Sequence, residues 1–243
     1  MNKRSLTILL IADTHGNHDR VQVPTEKIDV LIHAGDLSKM GKTEHLKSYD
    51  QWTTQIATRC NLFVSGNHEK RKLRLKTRKW IKKTLPNNIF LRNDEYTIDD
   101  LVIWGSPYRP LKSYKKLIPK KAQILVCHSP PYLYHDLTYN YKERGLKGIY
   151  KGIESNNINK EPRIYVCGHV HEGYGIIYEP ELNCWIINCC VVGNERNPIY
   201  LKAIYNEEYN YYDFEFPEKF NSLIAEGEKR KPFKKKKKKF FKK

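Results

Sequence analysis

The stretch that decides the fold is residues 6–15, which read LTILLIADTH. Its first seven residues are apolar except for Thr7, and such a run is typical of a buried strand. The run is followed at once by Asp13, Thr14 and His15. A carboxylate and an imidazole directly after a buried strand predict a polar site at the end of that strand.

Four further segments repeat this arrangement along the chain. Their apolar runs are residues 30–34, 62–64, 124–127 and 164–167. The polar groups that follow these runs are Gly35-Asp36, Gly66-Asn67-His68-Glu69, His128 and Gly168-His169-Val170-His171. Open α/β folds place their sites outside the carboxyl ends of the strands. We therefore expect the five loops to converge at one edge of a sheet and to supply ligands for two adjacent divalent metal ions.

The order of these motifs, D-x-H, G-D, G-N-H-E, H and G-H-x-H, resembles that of the calcineurin-like metallophosphoesterase superfamily. The stretches VLIHAGD, IWGSPYRP, HSPPY and CGHVHEGYG are similar to the metallophosphoesterase-domain-containing family, whose members resemble class III cyclic-nucleotide phosphodiesterases. The resemblance runs from about residue 6 to about residue 201. It implies an α/β fold of two packed mixed β-sheets flanked by helices, a four-layer α/β/β/α sandwich. It also implies a metal-dependent hydrolase.

A dinuclear metal centre follows from the same resemblance. Carried over by motif, the ligands of one ion are Asp13, His15, Asp36 and His171, and those of the other are Asp36, Asn67, His128 and His169. The shared Asp36 would hold the ions roughly 3.5 to 4 Å apart, so that a bridging hydroxide attacks the phosphoryl group. Mixed oxygen and imidazole ligands favour Mn²⁺, Fe²⁺ or Zn²⁺ over Ca²⁺. Mn²⁺ is the first expectation.

His68 is the histidine that the ligand count leaves over. In the family it lies over the substrate and can donate a hydrogen bond or a proton to the leaving oxygen, a role worth typically about 10²- to 10⁴-fold. Its alternative is a structural or capping role at the start of the next helix. The Ser/Thr phosphatases of the superfamily orient this histidine with an aspartate in G-D-x-x-D-R-G, where this chain has Lys39. Glu69 is a weak candidate for that task because it adjoins His68 in sequence.

Purple acid phosphatases differ at the same place. They need a tyrosine three residues after the bridging aspartate, and Lys39 occupies that position here. The substitution argues against a centre that contains Fe³⁺ and a tyrosinate.

Three residues are candidates for substrate contact, because in the resembling family their loops border the site. They are Tyr108, Arg109 and Tyr132. An arginine can bind a phosphate oxygen through two parallel bonds, and a tyrosine can stack on a base. The alternative for residues 108–110 is a rigid surface turn. Of the other histidines, His33 is expected next to the ligands or in the core, and His18, His45 and His135 are expected at the surface rather than as ligands.

Strands alternate with helical stretches, as βαβ units require. Helices are predicted over residues 43–57, with Thr43 as N-cap, over the strongly basic residues 70–83, and within 143–155. The remaining strands are predicted at residues 89–91, 96–98, 101–104, 174–178, 185–188 and 199–205. Asp99 and Asp100 are typical of a hairpin turn.

The basic charge is concentrated in a tail. The 243-residue chain has a formal charge of +17, but eleven of its 44 Lys and Arg residues lie in residues 229–243, which leaves the remainder at +6. We therefore predict a metallophosphoesterase domain over residues 1–228 and a disordered Lys-rich tail over 229–243. The tail is typical of a nuclear-localisation or nucleic-acid patch, and its phenylalanines would also suit an anionic membrane surface. The alternative is a solvated tail with weak nonspecific affinity for polyanions.

The cysteines and hydropathy indicate an intracellular protein. No CxxC pair occurs among the six cysteines, which are expected to be reduced packing residues. No apolar stretch approaches the ~20 residues that span a bilayer, and the N-terminus does not resemble a signal peptide. We expect a cytoplasmic location, or a nuclear one through the basic tail.

Three functions are consistent with these features. The first is hydrolysis of small phosphodiesters, with a 2′,3′- or 3′,5′-cyclic nucleotide as the best guess. The second is a nuclease, because the basic helix and the tail could hold RNA or DNA. The third is a non-enzymatic protein that binds RNA or membranes and carries a vestigial site. All seven ligand positions are intact, which favours an enzyme.

Overall fold

The computed structural model describes residues 4–69, 73, 76–109, 114–157, 161–192 and 196–226. Within these residues the strands are β1 Ser5–Ile11, β2 Val30–His33, β3 Cys60–Phe63, β4 Ile89–Phe90, β5 Asp94–Ile98, β6 Leu101–Ser106, β7 Ile124–Cys127, β8 Arg163–Cys167, β9 Gly175–Glu179, β10 Cys184–Asn188, β11 Ile199–Asn206, β12 Tyr211–Glu215 and β13 Ile224–Glu226. The helices with described bounds are α1 Thr43–Thr53, α2 Arg78–Thr84 and α3 Lys147–Asn156.

The strands form two mixed sheets. One has six strands in the order β12-β11-β1-β2-β3-β4, and the other has seven in the order β13-β9-β10-β8-β7-β6-β5. The central pairs β1 with β2, β2 with β3 and β7 with β8 are parallel, whereas β1 with β11, β11 with β12 and β9 with β10 are antiparallel. Two mixed sheets with helices confirm the predicted fold class.

The core lies between the two sheets. Every residue of β2, β3, β7 and β8 is buried, as predicted for strands covered on both faces. One apolar cluster combines side chains of the first sheet with those of the second, including Ile8, Leu31, Leu62, Val126 and Val166. Each such side chain contributes roughly 1.5 to 3 kcal/mol when fully buried. This packing fixes the two sheets against each other and with them the loops that follow their strands.

The sheets also meet directly at the residue before Asp13. Ala12 forms a parallel bridge with Cys190, its N–H donates to the carbonyl of Cys189 at 3.0 Å, and its carbonyl accepts from the N–H of Val191 at 3.0 Å. The chain that follows β1 is thereby joined to the chain that follows β10. Asp13 of the first sheet is brought beside the loops of the second.

Two predicted helices differ from those observed. Helix α1 ends at Thr53 rather than at residue 57, and its N-cap is Lys42, so the prediction of Thr43 as N-cap is wrong. In the predicted helix 70–83, residues 70–72 and 74–75 lie outside the described part. Thr77 is extended, with ψ 155°, and its hydroxyl accepts from the N–H of Trp80. The helix over 70–83 is therefore not continuous, because a threonine N-cap starts α2 at Arg78.

Other local predictions are confirmed. Asp99 and Asp100 join β5 to β6 with φ angles of 47° and 70°, the left-handed conformations that a two-residue hairpin turn requires. All six cysteines are buried and free, as expected of reduced packing residues. Strands β12 and β13 were not predicted. The tail, residues 229–243, lies outside the described residues, so the division into domain and tail stays a prediction.

No helix in the described ranges is long and apolar enough to cross a membrane.

Candidate metal centre

The centre of the site is a pair of buried carboxylates beside a buried imidazole. Asp13, Asp36 and His128 are 0%, 2% and 0% exposed. The Nε2 atom of His128 lies 3.3 Å from Oδ2 of Asp36 and 3.9 Å from Oδ1 of Asp13. These three residues follow β1, β2 and β7, so strands from both sheets deliver them to one point.

Further predicted ligands surround this pair. Oδ1 of Asp13 lies 3.5 Å from Nε2 of His171 and 3.9 Å from Nε2 of His15. Oδ1 of Asn67 lies 3.1 Å from Nε2 of His128, and the ring of His169 has its centroid 5.1 Å from that of His128. The structure thus brings all seven predicted ligand positions together, and their role as ligands stays a prediction.

Among the residues that the structure describes, three overlapping groups have side-chain atoms close enough to share a cation. Within each group, one potential ligand atom per residue lies within 4.8 Å of the others: Asp13, His15 and His171; Asp13, Asp36 and His128; and His15, Asp36 and His68. The first group belongs to one predicted ion. The second links the two predicted ions through their carboxylates. The third includes His68, which the sequence assigned to catalysis rather than to ligation.

The chemistry of the donor set fits a cation. Among the described residues, Oδ1 of Asp13 and Nδ1 of His15 are buried without a hydrogen-bond partner. A buried polar atom left unpaired costs roughly 1 to 3 kcal/mol, so these atoms call for a partner. Burial lowers the pKa of His128, but Asp36 and Asp13 outweigh it and raise that pKa to about 9. Two buried carboxylates therefore create a negative potential that a metal ion would neutralise.

The backbone of the loops that carry the predicted ligands is held in an unusual conformation. Asp13, His15, Asp36 and His169 have φ angles of 58°, 48°, 57° and 68°. Left-handed backbone at a residue other than glycine costs of order 1 to 3 kcal/mol and persists only where the surroundings enforce it. Gly66 allows the loop after β3 to approach Asp36 this closely, because a Cβ atom there would lie 2.0 Å from Oδ1 of Asp36. The glycine of the G-N-H-E motif lets two ligand loops touch.

A backbone carbonyl group sets the orientation of the His128 ring. Its Nδ1 lies 2.9 Å from the carbonyl oxygen of Ala34, which can only accept, so Nδ1 carries the hydrogen. Nε2 is then free of a proton in the neutral ring and points at the carboxylates. A metal-ligating histidine commonly has such a partner on its other nitrogen.

His68 lies at the mouth of the site with its side chain 30% exposed, and its Nε2 is 3.8 Å from Oδ2 of Asp36. Its Nδ1 accepts a hydrogen bond from the backbone N–H of Met40 at 3.4 Å. Because Nδ1 accepts, the neutral ring carries its hydrogen on Nε2, the atom that faces the carboxylates. The backbone of Met40 therefore orients this ring, where the Ser/Thr phosphatases use an aspartate. The carboxylate of Glu69 is bonded to other groups.

The three candidates for substrate contact have different surroundings. Tyr108 has its ring centroid 5.9 Å from that of His128 and 5.4 Å from that of His169, so it lies beside two predicted ligands. The carbonyl of Arg109 accepts from the hydroxyl of Tyr114. The ring of Tyr132 contacts Nζ of Lys147 at 4.7 Å. Tyr108 is thus the candidate that the structure places at the site.

Arg144 is a cation that the sequence did not single out. Burial and the charge of His128 lower the pKa of His169 to about 4, and the nearby Arg144 guanidinium adds to this effect. The N–H of Leu146 donates to the carbonyl of Pro130 at 3.0 Å, which ties the Arg144 segment to the loop after His128. No motif marks Arg144, because its position depends on this contact between loops.

The histidines outside the site were predicted only in part. His33 is buried as expected, with Nε2 3.0 Å from the hydroxyl of Thr14. His18 is 1% exposed and lies 2.9 Å from the hydroxyl of Ser48, so its surface prediction is wrong. His45 and His135 are half-buried rather than exposed. Polar partners, which a sequence pattern does not show, allow these rings to be buried wholly or in part.

Comparison with known proteins gives consistent similarities. The family model described as calcineurin-like phosphoesterase matches residues 6–173. Human metallophosphoesterase domain-containing protein 1 is 28% identical over 202 residues, which cover 69% of this chain and 61% of the human protein. UPF0046 protein K07C11.7 of Caenorhabditis elegans is 30% identical over 217 residues, with 78% of this chain and 72% of that protein covered. The chain thus spans about three fifths of the length of the human relative.

Solved structures share the fold at low identity. TT1561 of Thermus thermophilus superposes with a TM-score of 0.57 at 12% identity, over 88% of this chain and 99% of that chain. Purple acid phosphatase PPD1 of yellow lupin has a TM-score of 0.50 at 14% identity, over 93% of this chain and 54% of that chain. These similarities concern the arrangement of the two sheets.

Proposed function

Because this chain belongs to the calcineurin-like phosphoesterase family, we propose that it is a metal-dependent hydrolase of small phosphodiesters, with a cyclic nucleotide as the first candidate substrate. One observation carries the proposal most directly. Loops after β1, β2, β7 and β8 bring two buried carboxylates and four imidazoles together, and three of these imidazoles have Nε2 within 3.9 Å of Oδ1 of Asp13, which has no hydrogen-bond partner. The predicted ligands named above fit divalent metal ions, with Mn²⁺ as the first expectation and Fe²⁺ or Zn²⁺ as alternatives.

When bound, two such ions supply a nucleophilic water near neutral pH and neutralise charge on the phosphoryl group. The chain's own residues bind and orient the substrate around them. The Nε2–H group of His68 faces the site and would donate a hydrogen bond to the leaving oxygen. Tyr108 would line the wall beside His128 and His169, and Arg144 would attract a non-bridging phosphate oxygen. Arg109 and Tyr132 stay weaker candidates for substrate contact.

The proposal is tested by substrate preference. We expect purified protein with added Mn²⁺ to hydrolyse bis-p-nitrophenyl phosphate faster than p-nitrophenyl phosphate, and to hydrolyse 2′,3′- or 3′,5′-cyclic nucleotides. Release of p-nitrophenol and chromatography of the nucleotide products measure these rates. Preference for the monoester would redirect the assignment to a phosphatase. A protein that stays inert with every metal would favour the binding function with a vestigial site.

A nuclease is the second candidate function, and one surface favours it. Helix α2 presents Lys79, Lys82 and Lys83 to solvent in the sequence RKWIKKT. A row of lysines of this kind attracts phosphate backbones without sequence preference. Cleavage of single-stranded RNA or DNA at rates above those for cyclic nucleotides would move this candidate ahead.

The Lys-rich tail is proposed to bind polyanions or anionic membranes apart from the active site. Strand β13 is parallel to β9, which is antiparallel to β10, whereas β10 is parallel to β8. Because the loop after β8 carries His169 and His171, β13 runs away from the metal centre. The described chain therefore ends at Glu226, at the end of the fold opposite the site.

Deletion of residues 229–243 should leave cyclic-nucleotide hydrolysis nearly unchanged. Binding to RNA or to phosphatidylserine vesicles should fall steeply at low salt, because each lost lysine contact would have released a counterion. Fluorescence anisotropy and vesicle co-sedimentation measure this binding. Loss of small-substrate turnover would show that the tail belongs to the catalytic fold, and loss of nucleic-acid cleavage alone would favour the nuclease.

A further inference from the structure

The carboxylate of Glu69 is buried at the junction of two loops that carry predicted ligands. The residue is 0% exposed. Its Oε2 accepts from the backbone N–H groups of Asp36 and Gly66, each at 3.0 Å. Its Oε1 accepts from the N–H of Ser38 at 2.8 Å and from the hydroxyl of Ser38 at 2.7 Å. One side chain therefore joins the loop after β2 to the loop after β3.

These hydrogen bonds constrain Asp36, which is the predicted ligand of both ions. Asp36 has its backbone N–H held by Glu69 and a left-handed φ of 57°. Its Oδ1 accepts from the N–H of His68 at 2.8 Å, and its Oδ2 lies 3.3 Å from Nε2 of His128. With the backbone fixed on one side and Oδ1 on the other, the Asp36 carboxylate has little freedom to turn. Oδ2 is kept facing the site.

We propose that Glu69 is a positioning residue, which holds Asp36 in the orientation that lets one carboxylate serve both metal ions. The inference rests on the proposed function, since it assumes that two ions bind. It assigns to Glu69 neither metal ligation nor contact with substrate. All four of its described donors belong to the loops that it joins. Weakening these hydrogen bonds should therefore disturb Asp36, the shared ligand, more than it disturbs the ligands that serve only one ion.

Glu69→Gln tests this role, because the amide NH₂ group replaces an acceptor that faces backbone N–H donors. We expect binding of the first Mn²⁺ to be retained and the dissociation constant of the second to rise about 10- to 100-fold. That is the usual effect of removing a group that hydrogen-bonds to a metal ligand. Calorimetric titration measures both constants. Electron paramagnetic resonance should show the spin-coupled Mn²⁺ pair of the wild type replaced by uncoupled Mn²⁺ at equal loading.

Asp50→Asn is the matched control. Asp50 is another buried carboxylate, 6% exposed, and it accepts from the backbone N–H and side-chain amide of Asn87 and from the side-chain amide of Asn88. These partners lie outside the predicted metal ligands. We expect Asp50→Asn to lower the melting temperature while both Mn²⁺ affinities and the coupled spectrum stay as in the wild type. A purely structural role for Glu69 would give the same result for Glu69→Gln.

Several outcomes would overturn the inference. A coupled Mn²⁺ pair with unchanged affinities in Glu69→Gln contradicts it while leaving the proposed function intact. A wild-type protein that binds no metal pair contradicts both. If Glu69→Gln does not fold, Ser38→Ala takes its place, because it removes only the hydroxyl that donates to Oε1. That variant should weaken binding of the second ion severalfold, and unchanged binding would overturn the inference.

Discussion

Replacing Asp36 with asparagine should abolish phosphodiester hydrolysis while leaving the domain folded. Asp36 is the only predicted ligand that both ions share, and its Oδ2 faces the buried His128. A neutral amide cannot supply the negative charge that holds two cations together. Loss of charge stabilisation worth several kcal/mol corresponds to a rate decrease of about 10³-fold or more. Turnover of bis-p-nitrophenyl phosphate in limiting Mn²⁺ measures this effect.

Folding of the Asp36→Asn variant needs its own measurement. The asparagine keeps the size of the side chain and an oxygen that can accept from the N–H of His68. Its backbone bond to Glu69 is unaffected. We therefore expect a circular dichroism spectrum and a cooperative melting transition like those of the metal-free wild type. Turnover near the wild-type rate in limiting Mn²⁺ would show that the site is not dinuclear.

Replacing His68 with alanine should separate catalysis from metal binding. The substitution removes a proposed donor to the leaving oxygen without removing a predicted ligand, so the rate should fall by about 10²- to 10⁴-fold while metal content holds. The decrease should be largest for substrates with poor leaving groups, such as alkyl phosphodiesters, because p-nitrophenolate leaves without a proton. Steady-state rates across a leaving-group series, with elemental analysis of the same samples, test this expectation.

His45→Ala provides a control for the His68 variant. His45 also accepts a backbone hydrogen bond through Nδ1, from the N–H of Lys39 at 3.2 Å, but it lies outside the groups of potential ligands. We expect its variant to hydrolyse all leaving groups in the wild-type order. Loss of metal together with activity in His68→Ala would mean that His68 is a ligand. Its side chain lies close enough to His15 and Asp36 to share a cation with them.

The sequence predicted the residues of the site better than the residues that hold them in position. Asp13 and Asp36 follow buried strands of one sheet and His128 follows a buried strand of the other, so the pattern placed each residue at a strand end but did not reveal that two sheets share the site. Glu69 was only a weak candidate for orienting His68, and its carboxylate instead accepts from Asp36, Ser38 and Gly66. Its four bonds join positions up to 33 residues apart. Contacts to backbone N–H groups carry no side-chain pattern, so the role of Met40 was invisible as well.

The elements that were missed have a similar cause. Strand β13 spans three residues and pairs only with β9 within the described chain, so its periodicity is too short to recognise. The start of α2 at Arg78 depends on Thr77, whose capping bond ends any continuous helix through that point. His18 leaves the surface because Ser48, thirty residues away, provides a polar partner. In each case a tertiary contact or a cap decided the structure over the local pattern.

The most direct measurement is the number and coupling of Mn²⁺ ions bound to the wild-type chain. The protein is stripped with a chelator, dialysed against Mn²⁺, and examined by elemental analysis and electron paramagnetic resonance. A dinuclear centre bridged by Asp36 predicts two ions per chain with a spin-coupled spectrum. One ion per chain, none, or two ions with independent spectra would contradict the shared carboxylate at the centre of the site.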